Sequence, residues 1–483
     1  MSKTMKLLFA ASECAPFFKT GGLGDVMGSL PKELAKEGND VRVVLPYFVQ
    51  KLDDETNEEL EDICSFIVKV GWRNQHCGIK QLVRDKVTYY FIDNLFYFDR
   101  ENLYDYGDDS ERFAFFQQAA IEMLEQIGFI PDILHVNDWQ TAMMPVLLKD
   151  KYSWINTLKD IKTVLTIHNI LFQGVYDQYV LSDHFDIGYA AFHERGLKYG
   201  DNVCWLKGGI YYADLVTTVS PTYANEIQTP EFGYGLDGDL RNIQHKLVGI
   251  VNGIDYDTYD PQTDSVIPAT FSKDNLSGKV KSKLALQKRV GLPEDKEVAL
   301  VGIVTRLDEQ KGVELIVDAM EELMKHRHIQ MVLVGTGKPY FEDAFRYYAE
   351  TYPDKFSAII DFDSELAQWI YAGSDLFLMP SLFEPCGLSQ LNSLRYGTLP
   401  IVHETGGLVD TIQPHNEWTD EGTGFSFHDF DVLTMLSTID RALTVYYDRP
   451  DSFNTLQVRA METDNSWKQS AQKYLDQYRY LIY

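Results

Sequence analysis

Lysine, arginine, glycine and acid residues recur in this sequence at spacings suited to an anionic ligand. In Lys19-Thr20-Gly21-Gly22-Leu23-Gly24-Asp25-Val26, a lysine and two adjacent glycines follow the first apolar run, 5–11, and precede a helix-compatible stretch, 26–34. The first N–H groups of a helix have no intrahelical acceptor, and the helix dipole adds about half a positive charge, so such a loop can cradle phosphate. A plain strand-to-helix turn with a solvated lysine is the alternative.

Three further stretches carry chemistry. In Gly302-Ile303-Val304-Thr305-Arg306-Leu307-Asp308-Glu309-Gln310-Lys311-Gly312, a strand delivers Arg306 and then Lys311 into the loop at its carboxyl end. Two fixed positive charges there suit a diphosphate, or serve surface ion pairs. In Pro380-Ser381-Leu382-Phe383-Glu384-Pro385-Cys386-Gly387-Leu388-Ser389-Gln390, the 387–389 turn opens a helix whose N-terminal donors suit phosphate beside the Glu384 carboxylate. Burying Glu384 amid Phe383, Pro385 and Cys386 is costly without a partner, and sugar hydroxyls would serve. A helix-capping glutamate beside a small packed cysteine is the plainer alternative. Finally, His135-Val136-Asn137-Asp138-Trp139 and Thr166-Ile167-His168-Asn169 end successive strands, which singles out Asp138 and His168, although a lone histidine is more often structural.

Other chemistries lose support. Gly22-x-Gly24 is followed by Met27 where a dinucleotide fingerprint needs its third glycine, Gly335-x-Gly337 fails likewise at Tyr340, and no Walker P-loop occurs. Asp-x-Asp pairs (Asp237/Asp239, Asp255/Asp257, Asp361/Asp363, Asp429/Asp431) have the chemistry for a divalent cation, but in a chain with 72 acidic residues they read as loop acids, and no metal is expected.

Short apolar runs alternate with longer amphipathic ones, as in parallel strands joined by crossover helices. Strands are expected at 5–11, 41–45, 88–92, 133–136, 163–167 and 215–219, with helices at 26–37 and 112–126. A second series restarts near Leu247, with strands at 298–304, 330–334, 357–360, 376–379, 400–402 and 424–427. Two doubly wound α/β domains follow, joined around 245–260. Thr20-Gly21-Gly22-Leu23-Gly24-Asp25 is echoed by Thr405-Gly406-Gly407-Leu408-Val409-Asp410, each after a strand, as two facing glycine loops would be. Trp467, Ala471, Tyr474, Leu475, Tyr478 and Ile482 form a helical stripe that must bury against one of the domains.

The 483 residues suffice for two or three domains with their own cores. A net charge of −28 repels nucleic-acid phosphates and anionic lipid, so neither a nucleic-acid nor a membrane partner is expected. The five scattered cysteines show no CxxC spacing, and no targeting or membrane-spanning stretch is visible, which fits a soluble protein of a reducing cytoplasm.

Taken together, Lys19 to Val26, Asn137-Asp138-Trp139, His168-Asn169, Val251-Asn252-Gly253-Ile254-Asp255, Arg306 with Lys311, Glu384 to Leu388 and the 405–408 repeat resemble the bacterial glycogen synthase and plant starch synthase family, in family order from Met5 to the C-terminal helix. The resemblance implies a GT-B glycosyltransferase with two Rossmann-like domains facing a central cleft: residues 1–246 on the glucan side, 247–464 binding the nucleotide sugar, and a helix at 465–483 crossing back. It implies glucosyl transfer from ADP-glucose to the non-reducing 4-OH of an α-1,4-glucan such as glycogen, with retention and without a cofactor or required metal. Lys19 and Gly22 would contact the donor, Arg306 and Lys311 would neutralise its diphosphate, and Glu384 would orient the glucose hydroxyls. Asp138 and His168 would line the glucosyl pocket, with Tyr97 and Asn252 nearby. The resemblance also carries Asp25, Cys386, Gly387, Leu388, Ser389, Thr405, Gly406 and Gly407 to the donor site.

Related enzymes often carry a second glutamate where this chain has Asn392, which leaves the ribose partner open. Phe362 is expected either to stack on adenine or to be a buried strand-end ring. A UDP-glucose enzyme and a non-catalytic glucan- or nucleotide-binding protein of the same fold are the alternatives.

Overall fold

The structure, a computed structural model, describes residues 4–483. They form two compact units: one runs to Asn252 and includes Trp467–Tyr483, and the other is Gly253–Ser466.

In the first unit β1 (Lys6–Ala10), β2 (Asp40–Pro46), β3 (Glu61–Val70), β4 (Arg73–Arg84), β5 (Val87–Asp93), β6 (Ile133–Asn137) and β7 (Lys162–Ile167) come first. A separate small sheet holds β8 (Val175–Asp177), β9 (Lys198–Tyr199) and β10 (Asn202–Cys204), after which β11 (Leu215–Thr218) and β12 (Leu247–Gly249) return to the main one. The main sheet has the order β12-β11-β7-β6-β1-β2-β5-β4-β3. All pairs from β12 to β5 are parallel. Its inner strands are apolar almost throughout because both faces are covered: Leu7 to Ala10 and all of β6 are buried. The connections reverse direction at β1, which lies between β6 and β2. Ligands of open α/β sheets bind beyond the carboxyl ends of strands at such a switch point.

The strands expected from the sequence are all present. The antiparallel pair β3 and β4 lies outside that set, and Ile63 and Ile67 point to solvent. Leu247, expected to open the second series, instead opens β12, which pairs with β11 at the edge of the first sheet. The compact units consequently part at Asn252 rather than at residue 246. The helix Trp467–Ile482 belongs to the first unit and buries Trp467, Ala471, Tyr474, Leu475 and Tyr478, packing on the first helix, Gly22–Lys36. Tyr478 OH and His135 Nδ1 lie 2.6 Å apart, and His135 Nε2 meets Thr166 Oγ1 at 2.5 Å.

The second unit is a six-stranded parallel sheet of β13 (Ala299–Val304), β14 (Ile329–Val334), β15 (Phe356–Ile359), β16 (Leu376–Met379), β17 (Leu399–His403) and β18 (Phe425–Phe427), in the order β15-β14-β13-β16-β17-β18. Here the switch point falls between β13 and β16. The strand-end loops of Arg306 and Glu384 therefore leave adjacent strands.

Candidate active site

In the first unit the chain leaves β1, reaches Glu13, and doubles back through paired Cys14–Phe18 backbone hydrogen bonds before Lys19. Lys19 Nζ is 2.7 Å from Asp25 Oδ1, half-exposed at the start of the first helix. The expected phosphate cradle is partly filled from within. Glu13, 5% exposed, accepts from the backbone N–H groups of Thr20 at 2.5 Å and Gly21 at 3.1 Å. Gly24 is required by packing, because a Cβ there would lie 2.3 Å from Lys19 Cβ. At Gly21 and Gly22 an added Cβ would meet nothing within 4 Å. Neither glycine is needed by its neighbours, and the space beside them is open to a ligand.

Asp138 follows β6, the neighbour of β1. Its backbone is left-handed, with φ +54, a conformation that costs a non-glycine residue of order 1–3 kcal/mol. Its carboxylate accepts the His168 N–H at 2.7 Å. Burial pushes this carboxyl up to about 7; the His168 and Asn169 backbone donors pull against the shift, and the nearby Glu13 charge adds to it. Asn137 donates through Nδ2 to Ala10 O at 3.0 Å, so its Oδ1, 2.9 Å from His168 Nε2, is the acceptor there. That assignment places the ring proton on Nε2 and leaves Nδ1 as an acceptor. Burial lowers the His168 pKa to about 3, so the ring works neutral.

The two remaining first-unit candidates fall differently. Tyr97 is a core residue: its ring is fully buried, packed 5.1 Å from that of Phe115, and its hydroxyl donates to Glu111 at 2.6 Å. Its ring has no face free to stack on a sugar, whereas that of the adjoining Phe96 is exposed. Phe98 and Phe113 are likewise core residues. Asn252 is buried, and its Oδ1 has no hydrogen-bond partner among the described residues.

In the second unit the loops after β13 and β16 are stitched together by Leu382 N donating to Gln310 O at 2.9 Å. Gly312 permits the approach: it has φ +64, and a Cβ would lie 1.9 Å from Pro380 O. Lys311 and Glu384, assigned separate tasks from the sequence, meet at 2.6 Å with little of either side chain exposed. Ser381 Oγ donates to the same Glu384 oxygen at 3.0 Å. Arg306 is more open, with a 3.3 Å bond to Gln310 Oε1 and Asp308 at 3.6 Å.

The 405–407 copy of the glycine motif is built differently from the first. Thr405 is the N-cap of the helix Gly406–Thr411, and Gly406 is left-handed with φ +45. The Gly407 N–H donates to the Glu384 carbonyl at 3.0 Å, and a Cβ would lie 2.2 Å from Cys386 O. Gly407 is thus required by close approach, and its N–H is already committed. Gly387 (φ +75), Leu388 and Ser389 are partly exposed at the start of the helix Ser389–Arg395, whereas Cys386 is buried. Asn392 is buried, and its Oδ1 has no hydrogen-bond partner among the described residues. Phe362 is 79% exposed, which removes the buried-ring alternative.

Glu13 and the cross-strand role of Asn137 escaped the sequence reading. The signal available for Glu13 was an acid shortly after a largely apolar strand, which is costly to bury unless donors surround it. Among the described residues no group of three or more His, Cys, Asp or Glu is arranged to hold a metal ion, and no helix is long and apolar enough to cross a membrane.

The family described as starch synthase catalytic domain matches residues 6–242, and that described as glycosyl transferases group 1 matches residues 285–454. The chain is 56% identical over 479 residues to a protein named glycogen synthase from Ligilactobacillus salivarius, covering 99% of this chain and 100% of that one. Identity to the glycogen synthase of Streptococcus mutans is 54% over 477 residues, with the same coverage. Among solved structures, it is similar to the catalytic domain of starch synthase IV from Arabidopsis thaliana bound to ADP and acarbose, with TM-score 0.93, 33% identity and coverage of 99% and 100%. Sucrose-phosphate synthase from Thermosynechococcus elongatus, at TM-score 0.62 and 17% identity over 99% and 98%, shares the fold alone.

Proposed function

The chain belongs to the glycogen and starch synthase family of GT-B glycosyltransferases and is a retaining glucosyltransferase; on that premise we propose how its strand-end residues divide the work. The donor is ADP-glucose and the acceptor is the non-reducing 4-OH of an α-1,4-glucan. The observation that carries the assignment is the Lys311–Glu384 pair at the switch point of the second sheet. A cation and a buried carboxylate within one hydrogen bond of each other match a glycosyl phosphate, whose phosphate needs the first and whose sugar hydroxyls need the second.

Breaking the glycosyl–phosphate bond leaves negative charge on ADP and positive charge on the sugar ring. Arg306 and Lys311 stabilise the departing diphosphate, and Glu384 accepts from the glucose hydroxyls. Lys19, with the open backbone at Gly22, contacts the donor. The Asp138 carboxylate supplies negative charge near the ring, and neutral His168 accepts a sugar hydroxyl at Nδ1. Retention normally suggests a carboxylate nucleophile. With Asp138 engaged by two backbone donors, attack by the acceptor on the leaving-group face, through a short-lived ion pair, fits better. The cationic side chains carry the leaving-group charge, and the reading calls for no metal.

Exposed Phe362 stacks on adenine, and Asn392 stands where the ribose partner is sought. A cytoplasmic location is supported by the five cysteine thiols, none in a disulfide. Competition between ADP-glucose and UDP-glucose during maltooligosaccharide elongation tests the donor: the ADP form should dominate, and equal or preferred use of UDP-glucose would reject it.

A further inference from the structure

We propose that Glu13 is a positioning residue for glucosyl transfer, its carboxylate lodged in the Lys19 loop as a built-in anion that fixes the loop for the donor. This rests on the reading that the loop meets the donor. Glu13 lies one turn of loop before Lys19 and is almost wholly buried. Every partner found for its carboxylate is an N–H or O–H donor: Thr20 N at 2.5 Å and Gly21 N at 3.1 Å on one oxygen, Thr20 Oγ1 at 2.8 Å and Tyr104 OH at 2.7 Å on the other. Tyr104 OH also lies 2.7 Å from Ser12 Oγ, so one carboxylate joins the glycine loop to the segment around residue 104 and to the end of β1.

The loop depends on this anchor. Glycine is the most flexible residue, and Gly21 and Gly22 have open space where a side chain would be. Packing cannot hold that part of the loop, whereas four hydrogen bonds to an ionised acceptor, each about twice as strong as a neutral one, can. The anchor also redistributes donors. With the Thr20 and Gly21 N–H groups committed to Glu13 and Gly24 N–H donating to Gly21 O at 3.2 Å, a phosphate arriving at this loop is left with the Lys19 ammonium, paired with Asp25, and the N–H groups of Gly22 and Leu23 at the start of the helix Gly22–Lys36. Glu13 thus sets which groups face the donor without touching it.

Donor kinetics of the wild type, Glu13→Gln, Lys19→Ala and the double variant test this, read as ADP release from ADP-glucose with glycogen present. Glutamine keeps the shape but puts an NH2 group where an oxygen accepted. Glu13→Gln should lower kcat/KM for ADP-glucose by about tenfold or more while leaving KM for glycogen unchanged. Because the two residues act through one loop, the double variant should be no worse than Lys19→Ala within about threefold. Losses that multiply, or wild-type donor kinetics in Glu13→Gln, would overturn the proposal. Lys19→Ala without effect would also overturn it, by removing the loop from the donor site, and an inactive wild type would overturn both the proposal and the transfer reading. If Glu13→Gln fails to fold, Thr20→Val removes one hydroxyl donor and keeps both N–H donors; its smaller loss should likewise vanish in the Lys19→Ala background, and persistence there would contradict the proposal.

Discussion

Lys311 Nζ lies 2.6 Å from Glu384 Oε2, across the two adjacent strands where the second sheet changes direction. A buried pair of this kind contributes little to stability, because desolvating two charges offsets their attraction, but removing one partner strands the other at a cost of about 3–5 kcal/mol. The pair is best understood as a binding element held ready.

Two substitutions separate these effects. Lys311→Ala should lower both the melting temperature and the turnover, since it leaves Glu384 buried without its cation. Glu384→Gln keeps the shape and an acceptor for Lys311 but not the counter-charge, so it should melt below the wild type by less than Lys311→Ala does, yet turn over about 100-fold or more slowly, the usual scale for losing a charged transition-state contact. Thermal melts beside steady-state kinetics check both.

The two glycine loops predict opposite outcomes for the same change. Gly22→Ala should fold with wild-type stability, since its Cβ meets nothing within 4 Å, and should lose donor affinity. Gly407→Ala should be destabilised, because its Cβ would sit 2.2 Å from Cys386 O, a backbone atom that cannot turn aside. Denaturant unfolding and the donor KM of both variants decide the matter.

Asp138 gives a pH signature. With its carboxyl raised to about 7 and His168 lowered to about 3, an ascending limb in kcat/KM near pH 7 belongs to Asp138 losing its proton. The same shift makes the fold less stable as pH rises. Below about pH 4 folded and unfolded chains both hold the proton, whereas between about 4 and 7 only the folded chain holds it, so this contribution declines across that window and is flat above it. Asp138→Asn should abolish both the activity and the pH-dependent stability term.

Tyr478→Phe should act on stability alone. It removes the hydroxyl 2.6 Å from His135 Nδ1 and leaves a buried ring nitrogen without a partner, at a cost of about 1–3 kcal/mol. Donor KM should be unchanged. A large KM effect would mean that the C-terminal helix shapes the site directly.

Most of the architecture is legible in the sequence because parallel strands covered on both faces are predominantly apolar, as in Leu7 to Ala10 of β1 and Met331 to Val334 of β14. β3 and β4 escape that rule: each mixes exposed polar and apolar residues, so Ile63 and Ile67 carry no burial signal. The strand-end residues could be picked out because they interrupt apolar runs with charge. Their pairings could not: Lys311 and Glu384 are far apart in the chain, and only the β13–β16 pairing brings them together. The burial of Tyr97 is not legible either, since an aromatic residue reads alike whether its ring faces solvent or core. Glu13 is hidden for the converse reason, since a single acid beside a strand does not announce that four donors converge on it.

The central claim is tested most directly by ADP release from ADP-glucose, measured with and without glycogen for the wild type and Glu384→Gln. The account predicts glycogen-dependent release by the wild type, with glucose appearing at α-1,4-linked chain ends, and a loss of about 100-fold or more in the variant. Release that ignores glycogen, or a Glu384→Gln variant as fast as the wild type, would contradict it.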